Sequence, residues 1–210
     1  GKVGHRRLSR LGLHRIADIR RYDPELLAAN LGDWGTHLWQ LANGIDSRRV
    51  VPDRSAKQIS HERTFSDDQT DEELLKAVVS FLCEQTAMRL RRSQRKTSTI
   101  TLKYRREDFR TLTRSHKLDT PIDRTSEILC VASVLLGEMR KSEPRPVRLL
   151  GVSLSSLVSD ATPTQLSLFD DQPQRTADRE VDRVVDQLSD KLGSRSVYRA
   201  ASHRWRNRDQ

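Results

Sequence analysis

Residues 99–105 are the clearest predicted strand in the chain, and their alternation constrains the surrounding fold most strongly. Apolar side chains occupy one side of this strand, while hydroxyl and basic side chains occupy the other. The apolar set is Ile100, Leu102 and Tyr104, and the polar set is Thr99, Thr101, Lys103 and Arg105. A sheet with this pattern buries one face and leaves the other for solvent or a partner. The segment therefore predicts a sheet that is covered on one side only.

Helix and strand patterns alternate on both sides of this segment. Further strands are predicted at residues 59–65, 110–117 and 147–157. Two helices lie between them, the first with a predicted capping box of Thr70 and Glu73. The inward positions are Leu74, Leu75, Val78, Val79, Leu82 and Leu90 in one helix, and Ile128, Leu129, Ala132, Leu135, Leu136 and Met139 in the other. The order β-α-β-β-α-β predicts an α+β domain over residues 57–159, with one four-stranded sheet and two helices on one face.

Residues 1–50 form a second unit of short predicted helices that are separated by glycines. Gly12 and Gly44 end helices, and residues 32–35 (Gly-Asp-Trp-Gly) are a predicted hairpin before the last helix. Asp18 stands in a capping position, and Pro24 in a first helical turn. Glycine hairpins between short helices are similar to helix-hairpin-helix modules, whose backbone amides approach a phosphate. We expect a small all-helical domain here.

The charge balance indicates a polyanionic partner. Lys and Arg number 38 against 29 acidic residues, which gives a net charge of +9 and a pI near 10.1. Nucleic acid is the first interpretation and an anionic membrane surface the second. No apolar run has the length of a transmembrane helix, and no signal peptide opens the chain. We therefore expect no membrane partner.

The two cysteines, Cys83 and Cys130, fall within apolar helical stripes and are predicted to be core thiols of a reducing compartment. With no clustered histidines beside them, they offer no ligand set for zinc. A bacterial cytoplasmic protein, associated with the nucleoid if it binds DNA, is the expectation.

The remaining segments are polar. Residues 51–56 are a basic linker, and residues 160–176 form a second linker. Residues 177–210 are predicted to hold a short amphipathic helix that ends at Gly193, followed by a mobile basic tail from Ser194 onward. The apolar positions of that helix are Val181, Val184, Val185, Leu188 and Leu192.

Within the second linker, residues 165–169 (Gln-Leu-Ser-Leu-Phe) are apolar between polar and acidic neighbours. An exposed apolar peptide of this kind commonly enters a pocket on another protein. It resembles the peptide by which bacterial DNA polymerases and repair proteins bind the sliding clamp. That resemblance implies that Leu168 and Phe169 fill the pocket, that Leu166 packs beside them and that Gln165 hydrogen-bonds at the rim. The alternative is a short amphipathic strand end that folds back on its own domain.

Several phrases in a fixed order carry a wider resemblance, which covers about residues 1–170. They are Gly1-Lys2-Val3, Leu11-Gly12-Leu13, Ile16-Ala17-Asp18, Trp34-Gly35, Leu38-Trp39, Gly44-Ile45-Asp46, Lys57-Gln58-Ile59-Ser60-His61-Glu62-Arg63-Thr64-Phe65, Asp108-Phe109-Arg110-Thr111-Leu112-Thr113-Arg114 and Val147-Arg148-Leu149-Leu150-Gly151-Val152-Ser153-Leu154. Together they resemble the C-terminal half of a bacterial Y-family translesion DNA polymerase, of the DNA polymerase IV type. In family terms, residues 1–50 are the thumb and residues 57–159 the little finger.

The resemblance implies a division of labour in holding primer-template DNA. Amides near Gly1, Lys2, Val3 and Gly4 grip phosphates from the thumb, and the polar sheet face lies along the duplex and holds its backbone without reading bases. The residues that the resemblance brings forward by position are Lys57, Gln58, Thr113, Arg114, Arg148 and Ser153. Strand alternation adds Thr99, Thr101 and Lys103. For any one of these side chains, an ordinary solvated surface position is the alternative.

The family's catalytic chemistry resides in palm carboxylates that bind Mg²⁺, and no segment here resembles that palm domain. The acidic pairs are Asp67-Asp68, Glu107-Asp108 and Asp170-Asp171. They are interpreted as a helix cap, a strand turn and the end of the clamp-like peptide. We therefore expect a portion of a longer enzyme that binds no metal and is inactive by itself.

Two other functions stay open. A catalytically inactive, polymerase-like adaptor would recruit partners to the clamp, and the presence or absence of palm carboxylates upstream of Gly1 distinguishes it from an enzyme. A basic RNA- or ribosome-binding protein would use the glycine hairpins but would leave residues 165–169 without a role. The expected partners are thus primer-template DNA and the β sliding clamp, bound by a monomer.

Overall fold

The computed structural model describes residues 1–52, 55–161, 172–193 and 196–207, with the side chains of residues 172–175 excepted. The chain forms two compact units, Gly1–Arg54 and Ser55–Gln210.

The first unit is helical. Its helices are α1 (Lys2–Ser9), α2 (Ile16–Arg21), α3 (Pro24–Leu31) and α4 (Asp33–Ala42). They enclose a small core of Leu13, Ile19 and Leu27. Asp18 accepts hydrogen bonds from the backbone N–H groups of His14 at 3.0 Å and Arg15 at 2.8 Å, which confirms its predicted capping role.

The turn between α3 and α4 is shorter than predicted. Only Gly32 adopts a left-handed conformation, with φ at 67°, and α4 begins at the next residue. Gly35 lies inside α4, where a Cβ atom would stand 2.3 Å from the carbonyl oxygen of Leu27. The second glycine of the predicted hairpin therefore permits close approach of α3 and α4 and does not form a turn.

The second unit is built on one antiparallel sheet. Its strands are β1 (Gln58–Gln69), β2 (Arg95–Arg106), β3 (Thr111–Ile122) and β4 (Val147–Ser159), in the spatial order β1-β4-β2-β3. Helices α5 (Glu72–Arg92) and α6 (Thr125–Ser142) pack on one face of this sheet. The predicted α+β architecture and the β-α-β-β-α-β order are confirmed.

The core lies between this sheet face and the two helices. Ile100, Leu102 and Tyr104 are fully buried there, as the alternation in β2 predicts. The Tyr104 hydroxyl satisfies its hydrogen-bonding capacity inside the core, because it donates to the Arg145 carbonyl at 2.9 Å and accepts from Arg140 at 2.9 Å.

Three predictions about local structure are wrong. Asp71, and not Thr70, caps α5 by accepting from the N–H groups of Glu73 and Leu74. Asp67 and Asp68 lie within β1, which continues four residues beyond its predicted end at Phe65, so they cap no helix. Cys130 is exposed, whereas Cys83 is fully buried and its burial raises the pKa of the thiol.

The C-terminal segment is ordered onto the second unit. After α7 (Gln172–Leu192) come a 3₁₀ turn (Ala200–Ser202) and α8 (His203–Arg206). Trp205 is only 7% exposed and meets Phe65 edge to face, with ring centroids 5.7 Å apart. The expectation of a mobile, solvated tail is therefore wrong for residues 196–207, because an aromatic side chain inserts into the core.

Helix α7 packs through its acidic side. The Asp182 side chain is 4% exposed and accepts from the Thr125 N–H at 2.8 Å, from Arg91 at 3.1 Å and from Arg199 at 3.0 Å. The apolar positions Val181 and Val184 face outward. The helix is also longer than predicted, since it begins within the segment assigned to the linker. None of the helices that the structure describes has the length and apolar character needed to cross a membrane.

Candidate nucleic-acid interface

The sheet face opposite α5 and α6 has a central row of small hydroxyl side chains. Thr101 of β2 lies opposite Ser153 of β4 and Ser115 of β3, and Ser153 lies opposite Ser60 of β1. The hydroxyls of Thr101 and Ser115 are 2.8 Å apart and hydrogen-bonded. Short side chains across four strands make this part of the face flat, with hydroxyl groups that can donate to an anion.

A second row combines charges with a glycine. Glu62 of β1 and Lys103 of β2 both lie opposite Gly151 of β4, and Lys103 lies opposite Thr113 of β3. The Lys103 Nζ atom is 2.8 Å from Oε1 and 3.0 Å from Oε2 of Glu62. The two side chains therefore meet above the glycine of the intervening strand.

Two flanking rows complete the face. In one, Thr99 lies opposite Ser155 and Lys117, and Ser155 lies opposite Gln58. In the other, Arg105 lies opposite Leu149 and Thr111, and its Nε donates to the Thr111 hydroxyl at 2.9 Å. This register defines the open face, a name used below for the residues of the four rows. They are Gln58, Ser155, Thr99 and Lys117; Ser60, Ser153, Thr101 and Ser115; Glu62, Gly151, Lys103 and Thr113; and Thr64, Leu149, Arg105 and Thr111.

Six of the predicted DNA contacts lie on this open face, namely Gln58, Thr99, Thr101, Lys103, Thr113 and Ser153. Lys57 is exposed directly before β1. The structure thus brings together side chains from all four strands of the sheet.

Arg148 lies at one end of the sheet. It is the extra residue of an irregularity in the pairing of β2 with β4, where Arg105 pairs with Leu149 and Arg106 with Val147. Its guanidinium stacks over the exposed ring of Phe109, 4.5 Å from the centroid, and approaches Asp68 at 3.4 Å. A cation that lies over an exposed aromatic ring at the end of the sheet remains accessible to a partner.

Arg114 is placed differently from its neighbour Thr113. Successive strand residues point to opposite faces, so Arg114, opposite Leu102, projects to the helix-covered side. There it pairs with Glu138 of α6 at 2.8 Å. Arg114 therefore lies outside the open face that carries Thr113, and its contact with DNA stays a prediction.

Several members of the open face are absent from the residues predicted to contact DNA, chiefly Ser60, Glu62, Ser115, Lys117 and Ser155. Alternation identifies which residues of one strand share a face, and the predictions that rest on it concern β2 only. Extending it to β1, β3 and β4 finds Ser60, Ser115 and Ser155, but which residues form a row depends on register.

In the first unit, the predicted phosphate grip lies at the beginning of α1. The first helical hydrogen bond runs from the His5 N–H to the Gly1 carbonyl at 3.0 Å. The amides of Lys2, Val3 and Gly4 precede it and have no acceptor within the helix. Gly4 also packs under the Trp34 indole, where an added Cβ would be 3.3 Å from the ring.

Two predicted features lie outside the described residues. These are the clamp-like peptide, with Gln165, Leu166, Leu168 and Phe169, and the adjacent pair Asp170-Asp171.

The carboxylates that the structure does describe do not fit a Mg²⁺ site. Asp68 faces Arg148, Asp108 pairs with Arg106 at 2.7 Å and Glu107 pairs with Arg145. Across residues 1–52, 55–161, 172–193 and 196–207, no three His, Cys, Asp or Glu side chains converge to hold a metal ion.

The second unit is an α+β domain with an open, hydroxyl-rich sheet face, and comparison with known proteins gives its family. Residues 56–168 match the model of the impB/mucB/samB family C-terminal domain. The match spans more than half of the chain, which therefore belongs to that family.

Curated relatives extend the similarity into the first unit. A DNA polymerase IV of Desulfatibacillum aliphaticivorans is 36% identical over 202 residues, which is 96% of this chain and 50% of the relative. A DNA polymerase IV of Clostridium acetobutylicum is 35% identical over 173 residues, covering 82% of this chain and 43% of the relative. The chain thus spans about half the length of the curated relatives it matches.

A solved structure shares the fold. It is a Y-family DNA polymerase chimera named Dbh-Dpo4(243-245)-Dbh, which aligns with a TM-score of 0.59 and 24% identity over 76% of this chain and 45% of the chimera. The resemblance to the C-terminal half of Y-family polymerases that the sequence phrases suggested is confirmed.

Proposed function

We propose that this chain is the DNA-holding and clamp-recruiting portion of an error-prone translesion DNA polymerase. The observation that carries the proposal is the open face, which presents hydroxyl and basic side chains from four strands while both α5 and α6 lie on the other side. The relatives that are named DNA polymerase IV support the same assignment.

The dimensions of the open face suit a DNA duplex. Four strands separated by about 4.8 Å give a surface about 14 Å across, comparable to the roughly 12 Å width of the major groove. On a surface of this width, Thr, Ser, Lys and Gln side chains can contact phosphate and sugar oxygens, and these oxygens are the same whichever base they carry. The proposed binding is therefore independent of sequence, with Thr99, Thr101, Thr113 and Ser153 as hydrogen-bond donors and Lys103 as a cation.

The first unit contributes a second proposed grip. The free amides of Lys2, Val3 and Gly4 stand at the N-terminal end of α1, where the helix dipole favours an anion. We assign them to a phosphate of the same duplex, with Lys57, Arg148 and the exposed Gln58 as additional contacts from the second unit.

Clamp recruitment is assigned to Gln165, Leu166, Leu168 and Phe169 on the strength of their sequence. Peptides of this type bind by inserting apolar anchors into a pocket on the partner. In this proposal the chain is monomeric and acts in the bacterial cytoplasm at the nucleoid.

Catalysis is assigned to a palm domain, which would hold the Mg²⁺ ions, and not to the residues of this chain. The pure chain is therefore expected to bind a primer-template and to leave the primer unextended.

Titration of labelled duplexes of unrelated sequence, repeated at several salt concentrations, tests the proposal. Affinity should be similar for all sequences and should fall steeply as salt rises, because phosphate contacts release counterions. Strong preference for one sequence, or binding that ignores salt, contradicts the role of the open face. Extension of the primer when Mg²⁺ and nucleotides are added contradicts the assignment of catalysis.

A further inference from the structure

Glu62 is an acidic side chain of the open face and belongs to β1, an edge strand of the sheet. Its carboxylate spans the neighbouring strand and holds the Nζ of Lys103 with both oxygens, at 2.8 and 3.0 Å. The side chains of Lys103 and Glu62 are 31% and 40% exposed, so the pair is open to solvent and to a ligand.

A glycine on the intervening strand leaves room for this carboxylate. Gly151 of β4 lies between Glu62 and Lys103 in the register, and a Cβ atom on it would stand 2.8 Å from the Glu62 Cγ atom. Any larger residue at this position would push the Glu62 side chain aside. The glycine therefore lets the carboxylate lie flat across β4.

Stability alone does not account for such an arrangement, because an exposed ion pair adds little to folding. On a surface that binds phosphates, a carboxylate also repels the ligand and competes with it for the lysine. The Glu62 carboxylate therefore lowers the affinity of the open face for a ligand that carries phosphates.

We propose that Glu62 sets the affinity of the open face for DNA by holding Lys103 in the unbound state. When a duplex binds, the Lys103 ammonium passes from the carboxylate to a phosphate, and the Glu62 charge left beside it weakens the hold. This inference rests on the proposed DNA-binding function. As a consequence, the Glu62–Lys103 pair, whose net charge is zero, contributes less to the salt dependence of DNA binding than a lysine that neutralises one phosphate.

The variant Glu62→Gln tests this, because it removes the charge and keeps the shape of the side chain. We expect DNA affinity to rise about threefold to tenfold at low salt, as one screened repulsion is removed. The slope of log affinity against log salt should steepen by up to about 0.9, the value for one additional phosphate contact.

Lys103→Gln provides the second arm. In the wild-type background its loss should weaken binding about threefold to tenfold, because it leaves the Glu62 charge unpaired on the open face. In the Glu62→Gln background the same change should abolish the gain. Glu73→Gln is the matched control, because Glu73 forms a similar exposed pair with Lys76 at 2.7 Å on α5, away from the open face.

The outcomes separate the inference from the function on which it rests. If the wild-type protein binds DNA and Glu62→Gln behaves as Glu73→Gln does, the inference fails while DNA binding stands. Weaker binding by a Glu62→Gln protein that melts like wild type also overturns it, because Glu62 would then position Lys103 for the duplex. If no variant and no wild-type protein binds DNA, the proposed function itself fails.

Discussion

The Asp182 carboxylate on α7 accepts a hydrogen bond from the Thr125 N–H, 2.8 Å away, at the first turn of α6. It thereby caps one helix from another helix that is distant in sequence. Arg91 and Arg199 donate to the same carboxylate, so this buried group joins α5, α6, α7 and the C-terminal segment.

Replacing Asp182 with alanine should lower the free energy of unfolding by about 3 kcal/mol, because it leaves a mostly buried arginine without one of its partners. Asp190→Ala is the control, since Asp190 pairs with Arg92 at an exposed position and should change stability by less than about 1 kcal/mol. Urea denaturation measures both. Equal losses of unfolding free energy in the two variants would show that the buried carboxylate stabilises the fold no more than the exposed one does.

Trp205→Ala should destabilise the second unit by about 3 kcal/mol, because it removes a large side chain from the core beside Phe65. Arg204→Ala, which breaks an exposed pair with Asp71, is the neighbouring control and should have a small effect. Melting temperature and hydrogen exchange of residues 196–207 report the change. A Trp205→Ala protein as stable as wild type would restore the interpretation of this segment as a solvated tail.

Stability should fall as pH is lowered through the titration of His61. Burial on the helix-covered side of the sheet, with Arg63 and Arg89 nearby, lowers the pKa of His61 below its ordinary value of 6.5. The unfolded chain then binds the proton more readily, so the stabilising contribution is present above the ordinary pKa and is lost as pH falls toward the folded value.

Denaturation of the wild type and of His61→Gln at about pH 7.5 and about pH 5.5 checks this effect, since the window brackets the ordinary histidine pKa. The wild type should lose more stability than the variant over that interval. Identical slopes for wild type and His61→Gln would contradict the argument.

Gly151→Ala should destabilise the second unit by about 1 kcal/mol, because the new methyl group would overlap the Glu62 side chain. Combining it with Glu62→Ala should remove most of this penalty. A double-mutant cycle in urea gives the coupling between the two positions. Additive effects would mean that β4 itself, and not the crossing carboxylate, excludes a side chain at position 151.

Replacing Leu168 and Phe169 together with alanine should weaken sliding-clamp binding by well over tenfold, because each buried anchor contributes about 2 kcal/mol. DNA affinity and melting temperature should stay near wild type. Ser167→Ala is the control within the same peptide, since the clamp-like pattern gives that position no anchor. A melting temperature that falls by many degrees would instead mean that these side chains complete the core of the domain.

Periodicity in the sequence was enough to assign most elements of the second unit. Alternation placed Ile100, Leu102 and Tyr104 in the core and Thr99, Thr101 and Lys103 on the other face, and the structure confirms both sets. The apolar spacing of α5 likewise identified its buried side, including Leu74, Leu82 and Leu90. These features depend on interactions between near neighbours in the chain, which a period of two or of 3.6 residues records directly.

Long-range features could not be obtained in this way. The side of the sheet that carries Arg114 follows from its register against Leu102, and the meeting of Glu62 with Lys103 follows from the order β1-β4-β2. Cys130 is exposed although Ile128 and Ala132 on α6 are buried, because the helix covers the sheet with only part of its surface.

The C-terminal segment shows the limit most clearly. Its charged composition and the apolar stripe of α7 predicted a free tail and an apolar packing face, yet the buried residues include Asp182 and Trp205 together with Ser189 and Ser202. Composition and local period determine which secondary structures can form. A polar group can enter the interior only where hydrogen-bond partners compensate the loss of its hydration. For Asp182 these partners are Arg91 and the Thr125 N–H, which are distant in sequence, so only the tertiary structure decides that it is buried.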